Sequence, residues 1–174
     1  MNQESFPILQ GHSFVLDRLQ TSDWKAISYL RSDAEINKYL SRSSAPDLES
    51  ALAFIDKIEL GFANKQMYYW AIRPKAEHEM LGSICLWNFS ENRKKAELGY
   101  DLMPAHQGKG LMQNAFNLVQ DFASSKLGIE VLEAYTHHAN VKSVELLIRN
   151  NFRLLADARD PGHPNNRVYQ KAIA

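Results

Sequence analysis

The order of apolar and polar residues divides the first third of the chain into one strand and a helical region. Residues 12–19 alternate between apolar and polar side chains, which is the period of a half-buried strand. Thr21, Ser22 and Asp23 offer helix N-caps, and apolar spacing predicts a helix through residue 31, a short helical turn over 34–39 and an amphipathic helix over 48–63.

From residue 66 onward the pattern favours strands. Runs rich in aromatic and β-branched residues predict an antiparallel hairpin over 67–73 and 80–89, followed by a strand over 94–103. Apolar residues at helical spacing predict a helix over 111–126 that Gly128 ends. A strand over 131–136, a helix from the Asn140 cap through 149, and strands over 152–156 and 167–173 complete the order βααβββαβαββ.

Residues 94–136 run strand, loop, helix, strand, which predicts a crossover between two parallel strands of one sheet. The chain has 174 residues, the size of one domain, and shows no repeat or low-complexity segment. We therefore predict one domain of mixed α/β (α+β) architecture over residues 1–174, with about eight loose residues at its start. Its sheet of about seven strands is mostly antiparallel and carries helices on both faces.

Composition and charge exclude several classes of protein. Lys plus Arg and Asp plus Glu number 20 each, so the basic excess expected of a protein that holds duplex nucleic acid is absent. The one cysteine excludes an intrachain disulfide, and its apolar strand predicts that Cys85 is a buried, inert thiol. No secretion signal and no run of about 18 apolar residues occurs, so we expect a cytoplasmic protein without membrane contact.

Two neighbouring histidines, His137 and His138, invite a metal site. Adjacent side chains of an extended segment point to opposite faces, so we expect these two not to chelate one ion. The sequence therefore predicts no metal.

The loop Gln107-Gly108-Lys109-Gly110 lies between a predicted strand and a predicted helix. Two of its residues lack side chains, and a helix N-terminus presents unpaired N–H groups with a partial positive charge, which suits an anion such as phosphate. Lys109 adds a full positive charge. The Walker spacing is absent, and Gln113 stands where the dinucleotide fingerprint has its third glycine. The loop alone fits either an anion site or a tight turn between strand and helix.

The run AELGYDLMPAHQGKGLMQNA at 96–115, with Asn140, Ser143 and the NNF at 150–152, resembles the GNAT superfamily of N-acetyltransferases. Within that superfamily it is most similar to the branch of the ribosomal-protein N-terminal acetyltransferases RimJ and RimL. The family motif, Gln or Arg, two residues, Gly, one residue, then Gly or Ala, begins here at Gln107. Met112 replaces its small last residue and would crowd a pyrophosphate unless the side chain turns into the core. Asn151 replaces a common glycine and tolerates the left-handed conformation.

This resemblance implies that acetyl-CoA is the cosubstrate, held in a V between the strands at 94–103 and 131–136. Leu102 would pair with the pantetheine amides, and Asn140 would contact the cofactor. Unpaired backbone N–H groups would polarise the thioester carbonyl, so that no metal is required. The resemblance also favours a homodimer or larger homo-oligomer. The pyrophosphate would be held by Gln107, Gly108, Lys109, Gly110, Leu111 and Met112.

Two residues are the candidates for catalysis. Glu97 lies in the middle of a predicted central strand, where burial raises a carboxyl pKa and suits it to accept a proton from the attacking ammonium, through a water. Alternatively, Glu97 forms a structural ion pair with Lys94, Lys95 or an arginine. In the resembling family the residue matching Ser143 is placed near the sulfur as an acid for the leaving thiolate, with Tyr100 and Tyr135 here as alternatives.

The sequence therefore favours an N-acetyltransferase that moves acetyl directly from acetyl-CoA to a primary amine. The acceptor is either a protein N-terminus, for example of a ribosomal protein, or a small amine. The first alternative is a non-catalytic module that binds CoA or a nucleotide and regulates a partner. A dinucleotide-dependent oxidoreductase is a second alternative that rests on the glycine loop alone.

Overall fold

A computed structural model describes residues 5–174 and places its strands in one eight-stranded sheet, in the order β1-β2-β3-β4-β5-β6-β8-β7. Neighbouring strands are antiparallel except for β5 and β6, which are parallel. The strands are β1 (Leu9–Gln10), β2 (Phe14–Arg18), β3 (Tyr68–Pro74), β4 (Gly82–Trp87), β5 (Lys95–Leu102), β6 (Val131–His137), β7 (Arg153–Leu154) and β8 (Asn166–Ala172). The helices are α1 (Trp24–Ser32), α2 (Leu48–Ala63), α3 (Leu111–Leu127) and α4 (Val141–Arg149).

The predicted mixed sheet and its parallel crossover are confirmed, with one strand more than expected. Strand β1 has only two residues, too short for an alternating pattern, and pairs with β2. Of the residues expected to be loose, the first four lie outside the described part of the chain. Phe6 packs edge-on against Phe62 with 5.0 Å between ring centroids, and Trp70 Nε1 donates to the Pro7 carbonyl over 2.7 Å.

The short helical turn predicted over 34–39 is confirmed: these residues form hydrogen-bonded turns, one closed by the Asn37 N–H donating to the Asp33 carbonyl over 3.1 Å. The predicted strand over 152–156 is shorter in the structure: β7 comprises Arg153–Leu154, and the Leu155 N–H adds one further hydrogen bond to the Val168 carbonyl of β8 over 2.9 Å.

The sheet separates two apolar cores, so helices cover both faces as predicted. On β3, Tyr68, Trp70 and Ile72 face one core, and Tyr69 and Ala71 face the other. The first core includes buried residues of α3 and α4, and the second includes those of α1 and α2. We call these sides the α3–α4 face and the α1–α2 face.

Asp23 is the N-cap residue of α1, as predicted, but its side chain makes no capping hydrogen bond to that helix. It ends a short 3-10 turn before α1, is 6% exposed, and its carboxylate takes two hydrogen bonds from Arg73, over 2.6 and 2.5 Å. The guanidinium is 4% exposed and also donates to the carbonyls of Arg18 and His78. This bidentate pair ties the start of α1 to β3 inside the protein.

In the described part of the chain, no helix combines the length and the apolar character needed to cross a membrane.

Candidate active site

A gap opens between the two parallel strands. β5 and β6 are in register at Lys95 with Val131, Ala96 with Leu132 and Glu97 with Glu133, and no further pair joins them among residues 5–174. β5 nevertheless continues to Leu102 and β6 to His137, while β6 stays paired with β8 along its whole length. The divergence implied by the resemblance is therefore present, toward the C-terminal ends of both strands.

Backbone groups of every second residue of β5 point into this gap. The Lys94 carbonyl accepts from the Val131 N–H over 3.1 Å, so residues of even number face β6. Tyr100 and Leu102 therefore direct their N–H groups into the region where β6 no longer pairs with them. Buried N–H groups without a partner are costly, which makes this edge receptive to an extended ligand with amide groups.

The side chain of Gln107 bridges the two arms of the gap. Its Nε2 donates to the Leu102 carbonyl over 2.9 Å, and its Oε1 accepts from Lys142 Nζ over 3.1 Å. The carbonyl of Leu102 is thus already paired, and only its N–H remains for a ligand. Lys142 was not predicted as a site residue, because its contact with Gln107 joins positions 35 residues apart.

The glycine loop adopts the backbone that its sequence allows. Gly108 and Gly110 have φ of 75° and 76°, and Gly110 is the N-cap of α3. A Cβ at either position would meet no atom within 4 Å, so backbone conformation and not crowding calls for glycine there. Lys109 between them is exposed.

Met112 turns inward. Its side chain is 7% exposed and belongs to the core of the α3–α4 face, while Leu111 packs partly against the same core. The side chain that replaces the small residue of the motif is thus directed away from the loop. The first turn of α3 keeps its backbone N–H groups available for an anion.

Glu97 lies on the α1–α2 face of β5, since it alternates with the buried Ala96 and Leu98 of the other face. It is partly buried, and Asn88 Nδ2 donates to its Oε2 over 3.2 Å. Burial raises the pKa of this carboxyl to about 7, and the nearby negative charges of Asp160 and Glu133 act in the same direction. The group is thus poised to gain or lose a proton near neutrality.

The alternative of a structural ion pair at Glu97 is not found in the structure. Lys94 pairs with Glu130 at 2.8 Å, and Lys95 pairs with Glu133 at 3.0 Å. Among residues 5–174 no cationic side chain pairs with Glu97. Asn88 and Asp160, which shape its environment, were not predicted, because each lies outside the strand that carries Glu97.

Ser143 belongs to α4 and therefore lies on the α3–α4 face of the sheet, opposite the face that carries Glu97. Asn140 caps α4, its Oδ1 accepting from the Ser143 N–H over 3.3 Å, as the sequence predicts. Ser143 Oγ is 2.7 Å from Tyr100 Oη and 2.9 Å from Thr136 Oγ1. Tyr135, the other alternative acid, instead donates to Glu133 over 3.2 Å on the α1–α2 face. Of the two alternative acids, Tyr100 is therefore the one that contacts Ser143.

A segment between α1 and α2 contacts both arms of the gap from the α1–α2 face. Arg42 donates to the buried Asp101 of β5 over 2.9 Å, and the ring of Tyr39 lies 5.1 Å from that of His137 on β6. The rings of His137 and His138 stack at 4.7 Å, so the expected opposite orientation is wrong. Strand β6 ends at His137, and alternation does not extend into the following turn.

Cys85 is half-buried and not fully buried as predicted, but its environment agrees with an inert thiol. Cys85 is the register partner of Gly99, and a Cβ on Gly99 would come within 2.9 Å of its sulfur. Burial raises the pKa of the thiol to about 12, so almost no thiolate exists near neutrality.

The open parallel pair and the glycine loop at a helix N-terminus are the features that the resemblance to acyl-CoA-dependent acetyltransferases implies. The family model for the acetyltransferase (GNAT) domain matches residues 13–153, and the chain belongs to this family. The uncharacterized N-acetyltransferase YoaA of Bacillus subtilis (strain 168) is 24% identical over 168 residues, which cover 97% of this chain and 95% of YoaA.

Solved structures share the fold over nearly the full length. An acetyltransferase from Salmonella typhimurium, described as modifying the N-terminal serine of ribosomal protein L7/L12, superposes with a TM-score of 0.82 at 18% identity, covering 97% of this chain and 100% of its own. The microcin C7 self-immunity acetyltransferase MccE, in complex with acetyl-CoA and AMP, has a TM-score of 0.78 at 20% identity, with 93% of each chain covered. The chain is therefore an acetyltransferase with a GNAT fold.

Proposed function

We propose that this acetyltransferase moves acetyl from acetyl-CoA directly to a primary amine. The observation that carries the proposal is the gap between β5 and β6, which has the glycine loop at its end and Glu97 on one face. A protein N-terminal amine, including that of a ribosomal protein, is the first acceptor to test, because one structural relative is described as modifying such a terminus. A small amine is the other acceptor class.

The described residues fit the proposed cosubstrate. Glycines with open space beside them and an inward-facing Met112 leave room at the start of α3 for a pyrophosphate. The N–H groups of 108–112 would bind it, and Lys109 would add charge complementarity. Leu102 would donate its N–H to the pantetheine arm. Gln107 would help to hold the pyrophosphate, and Asn140 would contact the cofactor. When bound, acetyl-CoA supplies an activated acetyl carbonyl, and the gap-facing N–H of Tyr100 would polarise its oxygen.

Glu97 would accept a proton from the acceptor ammonium, through a water. A base is most effective when its pKa lies near the working pH, because it is then substantially ionised and still basic enough to take the proton. The pKa of about 7 caused by burial meets that condition.

Direct transfer follows from the lack of an activated nucleophile in the site. Cys85 retains its proton because burial raises its pKa to about 12. Ser143 has only hydroxyl neighbours at its Oγ, and no imidazole or carboxylate of residues 5–174 lies within hydrogen-bond distance of it to remove its proton.

The test is an acceptor screen that follows release of free CoA thiol from acetyl-CoA, comparing peptides of varied N-terminal residue with small amines. We expect turnover with at least one class and no stable acetyl group on the protein when acetyl-CoA is added alone. A stably acetylated protein would contradict direct transfer. Tight CoA binding without turnover across the screen would favour the regulatory binding module.

Gly110→Ala is expected to weaken CoA binding about 5–30-fold, since a non-glycine residue at φ of 76° costs about 1–2 kcal/mol and the loop relaxes from its binding conformation. Calorimetry with CoA measures the effect. Gly128→Ala is the matched control, because Gly128 ends the same helix with φ of 66° and open space beside it. Gly128→Ala should lose as much stability as Gly110→Ala but keep its CoA affinity. An equal loss of CoA affinity in both variants would contradict the proposal that the glycine loop binds the pyrophosphate.

A further inference from the structure

Ser143 Oγ lies between two other hydroxyls, one from each arm of the gap. Tyr100 Oη belongs to β5 and is 2.7 Å away, and Thr136 Oγ1 belongs to β6 and donates to Ser143 over 2.9 Å. Three hydroxyls carry three protons, and the two contacts among them use only two. One O–H of this group therefore lacks an acceptor among residues 5–174.

The donor properties indicate which proton is free. A serine oxygen can accept two hydrogen bonds while donating one, and a phenol is a stronger donor than an aliphatic hydroxyl. The Tyr100 ring packs edge-on against Phe116 with 4.8 Å between centroids, which holds the phenol oxygen beside Ser143 Oγ. Tyr100 and Thr136 thus both donate to Ser143 and fill its lone pairs. The proton of Ser143 is the one left over.

We propose that Tyr100 and Thr136 are positioning residues that turn the free proton of Ser143 toward the sulfur of bound CoA. The inference rests on the proposed function and deepens it. The acceptor amine first gives one proton to Glu97 and attacks as a neutral nucleophile. The N–C bond forms, the C–S bond breaks with its electron pair staying on sulfur, and the second nitrogen proton passes to solvent water. Ser143 donates a hydrogen bond to the resulting thiolate and keeps its own proton.

CoA binding tests this arrangement without turnover. A free thiol ionises near pH ~8.5, and a hydrogen bond to the thiolate lowers the pKa of the bound thiol. The affinity of CoA divided by that of desulfo-CoA should therefore rise about tenfold as the pH is raised from 6.5 to 9, and this ratio removes the effect of Glu97, which ionises in the same range and acts on both ligands.

The variants divide the contributions. Ser143→Ala should abolish the rise in CoA affinity, and Tyr100→Phe and Thr136→Val should each reduce it. Thr136→Ser keeps the hydroxyl and should restore the rise. Ser125→Ala, which removes an exposed hydroxyl of α3, is the control and should behave as the unsubstituted protein. A rise that persists in Ser143→Ala would overturn the inference.

A kinetic cycle with an amine returned by the acceptor screen separates positioning from structural support. Tyr100→Phe should lower kcat about tenfold with unchanged KM for acetyl-CoA, and should have no further effect in the Ser143→Ala background. Equal losses in both backgrounds would assign Tyr100 a structural role and overturn the inference. Absence of CoA binding and of turnover in the unsubstituted protein would overturn the proposed function first, so the two failures are distinguishable.

Discussion

Glu97→Gln is expected to lower kcat for acetyl transfer by about 10²–10⁴-fold while leaving CoA affinity unchanged, because the amide cannot accept the proton of the acceptor amine. The substitution keeps the shape of the side chain, and the glycine loop is untouched. Steady-state kinetics with the amine found in the screen, together with calorimetry for CoA, measure the two effects separately. Glu130→Gln is the control, since Glu130 is an exposed carboxylate that pairs with Lys94 and should give normal rates.

The pH dependence of the unsubstituted enzyme tests the same role. A general base works only in its ionised form, so kcat/KM should rise with pH through about 7, where the raised pKa of Glu97 places its ionisation. Asn88 donates to the charged carboxylate and lowers its pKa, so Asn88→Ala should move the rise to higher pH. Simultaneous loss of activity and CoA binding in Glu97→Gln, or a rate that falls across neutral pH, would contradict the assignment.

The parts of the site formed by consecutive residues could be predicted from the sequence. The glycine loop is such a part, because its N–H groups come from adjacent positions and two positive-φ glycines mark the required backbone. The cap of α4 is equally local, since Asn140 and Ser143 are three residues apart. Glu97 was predicted because it lies in the middle of a strand expected to be central, where burial raises the pKa of a carboxyl.

The parts formed by distant residues could not be predicted. Tyr100 and Ser143 are 43 residues apart in the sequence, and their contact depends on how far β5 and β6 diverge next to α4. Asn88 reaches Glu97 because the preceding residue, Trp87, is the register partner of Glu97. This contact can be predicted only when the pairing of β4 with β5 is known. The sequence left the orientation of Met112 open for the same reason, since only the packed helix shows which side faces the core.

Asp23→Ala is expected to destabilise the protein by about 3–5 kcal/mol, because it removes the bidentate carboxylate from the buried charge of Arg73 and leaves it the more distant Asp17, 3.9 Å from its Nε. For a domain of this size the loss corresponds to a Tm lower by about 6–20 °C. Thermal and denaturant unfolding measure it. Asp23 lies far along the chain from Arg73, 50 residues apart, so the loss reflects tertiary contact and not helix propensity.

Two further variants separate charge burial from simple loss of an ion pair. Glu59→Ala removes the partner of Arg18 in an exposed pair, where solvent screens the interaction, and should cost only about 0–1 kcal/mol. The double variant Asp23→Leu with Arg73→Met removes both buried charges together and should recover most of the stability lost in Asp23→Ala, since apolar residues of similar volume replace a buried pair at little cost. A double variant as unstable as Asp23→Ala would show that the remaining hydrogen bonds of Arg73, to the Arg18 and His78 carbonyls, hold this region together instead.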